Sequence, residues 1–237
     1  MQFFIIVLLI CLFVFLYCVY LLANDDFIFL RRDVTMERLF NIVFLGSLFS
    51  LFFARLFYGF HAKSVLANPF VFLLFPYFPG LSLVGGVLGA VVVFLFLATR
   101  KKNSLPLGRM ADFFSIAFLV TLPVGFLGYF MFAENGFSAV AAGSLVITYL
   151  ILFIIFLRFL LPSLLNGKLK EGTITCLVLI LFSGISLVSN LFPKINILDF
   201  LRNFDNLMLV VILIASAVFL IKQESLLTNL KEFRRRK

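Results

Sequence analysis

The sequence predicts an all-α, polytopic membrane protein of about seven transmembrane helices, forming a single integral membrane domain over residues 1–237. Three observations carry that prediction. The mean hydropathy is +1.18 and only 13% of residues are charged, where a water-soluble domain has about a quarter. Apolar runs of spanning length recur along the whole chain. The lysines and arginines gather in alternate loops, as they do when a chain crosses a bilayer back and forth. These features exclude a disordered chain, a disulfide scaffold and a soluble enzyme. A β-barrel is excluded as well, because barrel strands alternate apolar and polar residues and these runs are apolar all round.

The first run, 3–22, carries no charge and ends at Asn24. It has no basic segment ahead of it, and neither Cys11 nor Cys18 sits in a lipoprotein cleavage box, so it is expected to be a retained helix. The second run, 40–59, follows Arg38, and the third, 81–99, lies between Pro79 and Arg100. The fourth, 111–132, is bounded by Arg109 and Glu134, and the fifth, 138–160, stops ahead of Pro162. The sixth, 172–191, starts at Glu171 and ends before Pro193, and the seventh, 205–222, closes on Lys222. Cys11, Cys18 and Cys176 all fall inside apolar runs, where a thiol behaves as a small hydrophobe, and their spacing fits neither a metal site nor a disulfide framework.

Sixteen of the 20 basic residues lie in the first, third and fifth loops and the C-terminal tail. The alternate loops hold only Lys63, Lys194 and Arg202, and Arg55 lies within a run. This asymmetry predicts an N-terminus outside and a C-terminus in the cytoplasm. The net charge of +9 therefore reads as a topology signal attracted to anionic headgroups, not as a nucleic-acid surface.

Ionisable groups near the membrane interior are costly, so they point to function. Arg55 falls in the last turns of the second run and Glu134 just past the fourth, both toward the outer face. They either partner each other, or Arg55 snorkels to headgroups while Glu134 is solvated. Asp112 reads as a charge at the start of the fourth helix, favoured by the helix dipole. His61, the only histidine, reads as a polar tip at headgroup level. Gly46, Ser50 and Ala54 share one helix face and Gly85 with Gly89 repeats the spacing, as backbones need for close approach in lipid. Gly125 and Gly128 mark the fourth helix after Pro123 in the same way, with lipid lining as the alternative. No phosphate loop, zinc helix or serine elbow occurs, and no cofactor or metal is expected.

The order of these pieces resembles the bacterial prolipoprotein diacylglyceryl transferases. The residues that carry the resemblance are Glu37, then GSLFSLFFARLFY with Gly46, Arg55 and Tyr58, and ANPF with Asn68 and Pro69. LSLVGGVLG with Gly85, Gly86 and Gly89 follows, then ADFF with Asp112 and Phe113. The pattern runs on without a gap into VGFLGYFMFAENG, with Gly125, Gly128 and Glu134 on the family's signature, and similarity extends to the last helix. The resemblance implies seven helices with the N-terminus outside in a bacterial cell (inner) membrane. It also implies transfer of the diacylglyceryl group of phosphatidylglycerol to the thiol of a lipobox cysteine in a precursor protein, releasing glycerol phosphate. Such a reaction needs a base or polar network for the thiol proton and cations for the departing phosphate. By resemblance, Arg55 would bind phosphate and Glu134 would orient it or act as base. Tyr58, Gly85, Gly86, Gly125, Gly128 and Tyr129 would line the lipid site.

The chain departs from the family where that chemistry sits. The family's His-Gly-Gly is Val84-Gly85-Gly86 here, and its signature Arg and Asn fall on Phe126 and Tyr129. A later Arg and Glu fall on Ser186 and Asn190. The family's arm before the first helix and its insertion after the signature have no counterpart of the same length. Valine and phenylalanine can neither accept a proton nor bind an anion, so impaired or altered catalysis is expected. The alternative is a non-catalytic lipid-binding or partner-scaffolding protein on the same fold. A small transporter has only the glycine-broken fourth helix in its favour.

Overall fold

The computed structural model describes residues 2–24, 26–32, 34–62, 72, 80–99, 106–132, 139–191 and 203–224. Among them no strand occurs, and the chain is an all-α, multi-pass membrane protein. Among the described residues, six segments are long and apolar enough to span a bilayer: Ile5–Asn24, Met36–Phe60, Leu107–Gly128, Ala142–Leu165, Thr173–Leu191 and Phe204–Gln223. The third expected run forms a shorter apolar helix, Leu83–Thr99, of 17 residues. At 1.5 Å per residue it is roughly 25 Å long, a little under the thickness of the hydrocarbon core.

The helices are α1 (Gln2–Asn24), α2 (Phe27–Arg31), α3 (Met36–His61), α4 (Leu83–Thr99) and α5 (Leu107–Phe132). They are followed by α6 (Ala139–Ile155), α7 (Leu161–Leu165), α8 (Thr173–Leu191) and α9 (Phe204–Gln223). A π-helical turn, Phe156–Leu160, lies between α6 and α7. It precedes Pro162, which has no N–H for the carbonyl of Arg158 and whose ring would crowd it; a widened turn relieves both. The fifth expected run therefore extends to Leu165.

Two helices start earlier than the apolar runs suggest. In α3 the Thr35 hydroxyl caps the N-terminus by accepting from the Arg38 N–H at 3.3 Å, so Glu37 and Arg38 lie within the helix. In α5 the helix begins directly after Pro106, which places Arg109 and Asp112 inside it. Asp112 is fully buried in the second turn, and the reading of it as a terminal helix charge is corrected accordingly.

Residues 1–154 form one compact unit and 155–237 a second. In the first, α3 packs along α4 and α1 along α5. More than half of the α5 span is buried (56%), against 11% for α1, so α5 is the interior helix of this unit. Phe114 of α5 meets Phe15 of α1 and Phe94 of α4 edge-on, at centroid distances of 5.6 and 5.2 Å. In the second unit, α8 and α9 pack together. At one end of that pair Asn190 donates to Asn206 at 2.8 Å, and at the other the Thr173 hydroxyl donates to the Glu224 carboxylate. The Lys170 N–H donates to the same carboxylate oxygen at 3.1 Å, and the Gln223 amide donates to the Glu171 carbonyl.

Candidate functional site

The small-residue faces meet as expected on one side of the first unit. A Cβ added at Gly85 would lie 2.6 Å from the Phe53 carbonyl oxygen, and one at Gly89 2.7 Å from that of Phe49. Backbones this close exclude any side chain, which is why glycine stands at both positions. The Ser50 hydroxyl donates to the Gly86 carbonyl at 2.9 Å and crosses the same seam. Gly46 is different: nothing lies within 4 Å of a Cβ built there, so it is no part of the close approach.

The approach of chain into α4 builds the cradle of Arg55. Ser82 donates its N–H to the Ala54 carbonyl at 3.0 Å, and its hydroxyl accepts from the Gly85 N–H at 3.2 Å, capping α4. Gly80 is thereby held over the last turns of α3. Arg55 is buried, and its Nη1 donates to the Gly80 carbonyl at 2.8 Å and its Nε to that of Phe72 at 3.3 Å. The guanidinium carbon stands 5.8 Å from the centre of the Tyr58 ring. Gly80 has φ +143°, and a Cβ there would lie 2.2 Å from Tyr58, so both backbone conformation and space demand glycine. This cradle fixes a planar cation inside a membrane helix pair, where an ionised group is costly and so marks a candidate functional residue.

Arg55, Tyr58, Gly85 and Gly86 are thus brought to one seam, whereas Gly125 and Gly128 face α1. A Cβ at Gly125 would be 3.9 Å from the Cys11 sulfur, and one at Gly128 2.3 Å from Cγ1 of Val7. Close helix packing accounts for Gly128, and its assignment to a lipid lining has no support in that contact. Glu134, Asn68 and Pro69 and the side chains of Tyr129 and His61 lie outside the described residues, so the Arg55–Glu134 partnership does too.

Val84 and Phe126, which the resemblance set against a His and an Arg, are taken up by packing. Val84 is buried beside the α3–α4 seam. Phe126 stacks on the buried Tyr149 ring, with centroids 5.7 Å apart and planes 9° from parallel. Of the two polar positions expected late in the chain, Asn190 is engaged with Asn206 as above.

Sequence reasoning missed a buried ion pair. Arg109, read only as a topology charge, donates through Nε and Nη2 to Asp26 Oδ2 at 3.0 and 2.9 Å. The other Asp26 oxygen caps α2, accepting from the N–H groups of Ile28 at 2.9 Å and Phe29 at 3.2 Å. The signal was present: an aspartate at the exit of the first run and an arginine opening the fourth, both assigned to the same face by the charge asymmetry. A shallow, open depression of about 440 Å³ along α3, lined by Asn41, Phe44, Leu45, Ser47, Leu48 and Leu51, includes none of the expected site residues.

No protein-family model matches the chain, and no curated protein matches it either.

Proposed function

We propose that this chain is a prolipoprotein diacylglyceryl transferase-like membrane protein that binds a phospholipid headgroup at Arg55 and has impaired or altered transfer. The observation that carries the reading is the cradle itself: a buried arginine in a spanning helix, oriented by two backbone carbonyls and an aromatic face. An ionised group in a spanning helix marks a functional candidate, and the phosphate of phosphatidylglycerol is the ligand the sequence pattern implies for it. Loss of function at the reacting centre is supported by Val84 and Phe126, which are buried or stacked where proton transfer and phosphate binding would need polar groups.

In an active enzyme the precursor thiol would lose its proton to a base, with Glu134 as the candidate. The sulfur would then form a bond to the glyceryl carbon as the carbon–oxygen bond to phosphate breaks and glycerol phosphate leaves. The second reading is a non-catalytic lipid-binding or scaffolding protein, favoured by the same aromatic stacking at Phe126.

Complementation separates the two. The chain is expressed in bacteria depleted of their own diacylglyceryl transferase, its presence in the membrane is verified, and the gel mobility of a reporter lipoprotein precursor is followed. Under the impaired reading the reporter matures slowly, and Arg55→Gln or Glu134→Ala abolishes the residual shift. No maturation from a well-expressed chain, with phosphatidylglycerol still co-purifying in an Arg55-dependent manner, assigns the non-catalytic role. Maturation unaffected by Arg55→Gln would overturn the site.

A further inference from the structure

The short helix α2 has no part in the function proposed above, and its surroundings are specific. It begins three residues after the Ile5–Asn24 span ends and stops five before the Met36–Phe60 span begins, so the chain confines it to the membrane boundary. Its fixed face is built inward. Phe29 is buried and stacks on Phe113 at a centroid distance of 5.5 Å, and Asp26 caps the helix while pairing with Arg109. The opposite face holds Phe27, Leu30 and Arg31, which are three and four residues apart and so lie side by side. Phe27 is 74% exposed and Leu30 64%, and Arg31 and Arg32 are also exposed. Two large apolar side chains beside a guanidinium make the pattern of a helix lying in an interface, apolar groups in the upper acyl region and the cation at phosphate level.

We propose that α2 is an interfacial helix that seats on the phospholipid leaflet, with Phe27 and Leu30 in the acyl boundary and Arg31 on lipid phosphate. The occupant is the bilayer because the two flanking spans hold α2 at the membrane boundary, where exposed Phe27 and Leu30 beside Arg31 match the acyl and phosphate levels of a leaflet. The Asp26–Arg109 pair sets its angle, making it a fixed anchor and not a loose loop.

The chain contains no tryptophan, so Phe27→Trp supplies a single emitter at the proposed contact. The variant is reconstituted in vesicles of phosphatidylcholine or phosphatidylglycerol carrying brominated acyl chains. The expected result is blue-shifted emission, quenching that is stronger for bromines near the glycerol than near the chain end, and little quenching by aqueous acrylamide. Arg31→Gln in the same background should lose part of the bromine quenching. Loss in both lipids identifies the shared phosphate as the contact, and loss in phosphatidylglycerol alone identifies the anionic headgroup. Leu30→Trp repeats the measurement should Phe27→Trp fail to accumulate. Emission typical of water, with free acrylamide access and no bromine effect in either lipid, overturns the proposal. An Arg31→Gln signal equal to its parent overturns the phosphate contact.

Discussion

Asp26 carries two roles on two oxygens, and they separate by substitution. Asn retains the oxygen that caps α2 but leaves Arg109 buried beside a neutral group, whereas Ala removes both. Breaking one side of a buried pair costs about 3–5 kcal/mol. Asp26→Asn should therefore lower the thermal unfolding midpoint in detergent strongly, and Asp26→Ala further. Equal midpoints for the two variants would show that the cap on α2 contributes nothing. The glycines give a second residue-level ordering. Gly85→Ala drives a methyl against the Phe53 backbone and should cost about 1–3 kcal/mol, while Gly125→Ala meets only a sulfur at ordinary contact distance and should be nearly neutral. At Gly128 the obstacle is the Val7 side chain, so Val7→Ala should rescue Gly128→Ala. Failure of that rescue, read by the same unfolding midpoint, would return Gly128 to a ligand-lining role.

Among the elements, the α8–α9 pair is held at one end by a carboxylate whose protonation can be tested. The Thr173 hydroxyl, and then the Lys170 N–H and ammonium, hold the Glu224 carboxyl below its ordinary pKa, against the opposing effect of burial. A depressed folded value stabilises the fold above the unfolded value, about 4.3 for Glu. That contribution is lost as pH falls from there through the folded value. The unfolding midpoint should thus decline below about pH 4.3, with part of the decline absent in Glu224→Gln, which keeps an acceptor and loses the titration. Identical acid profiles would exclude Glu224 as a contributor. Elements also mark the limit of what hydropathy reveals. Each apolar run is helical over nearly all its described residues because a largely apolar stretch of that length in a bilayer has no other way to satisfy its backbone. The starts of α3 and α5 were less legible, since the Thr35 hydroxyl bond and the proline at 106 are local features that hydropathy does not register. Helix α2 was not legible at all, being five residues long and stabilised by Arg109, eighty-three positions away from its cap.

At the scale of the molecule, the polar contacts within each unit join ends that an alternating path through a membrane brings together. Asp26 leaves α1 and Arg109 enters α5, so the first and third connections share a face. Arg55 sits nineteen residues into α3, roughly 28 Å along its axis, toward the other face. In the second unit Thr173 and Glu224 tie the fifth connection to the tail, and Asn190 with Asn206 closes the opposite end. Arg55, Gly85 and Gly86 stood out in the sequence because charge and small size are costly or distinctive in lipid, and the structure brings them to one seam. Gly80 was not, because its role depends on the chain returning over Tyr58, which no local pattern encodes. Within each unit the pairings fix which ends lie together, and the lysine and arginine bias predicts which face is cytoplasmic. That orientation is open to direct measurement in a background with Cys11, Cys18 and Cys176 replaced by Ala. A membrane-impermeant maleimide should label Arg31→Cys and Lys168→Cys in inside-out vesicles, and Lys63→Cys and Lys194→Cys only in right-side-out ones. Inverted labelling of all four would keep every helix pairing and reverse the orientation, placing the Arg55 cradle at the cytoplasmic leaflet. A secreted precursor could not then present its cysteine to Arg55 from outside, and the transferase reading would fail while headgroup binding survived.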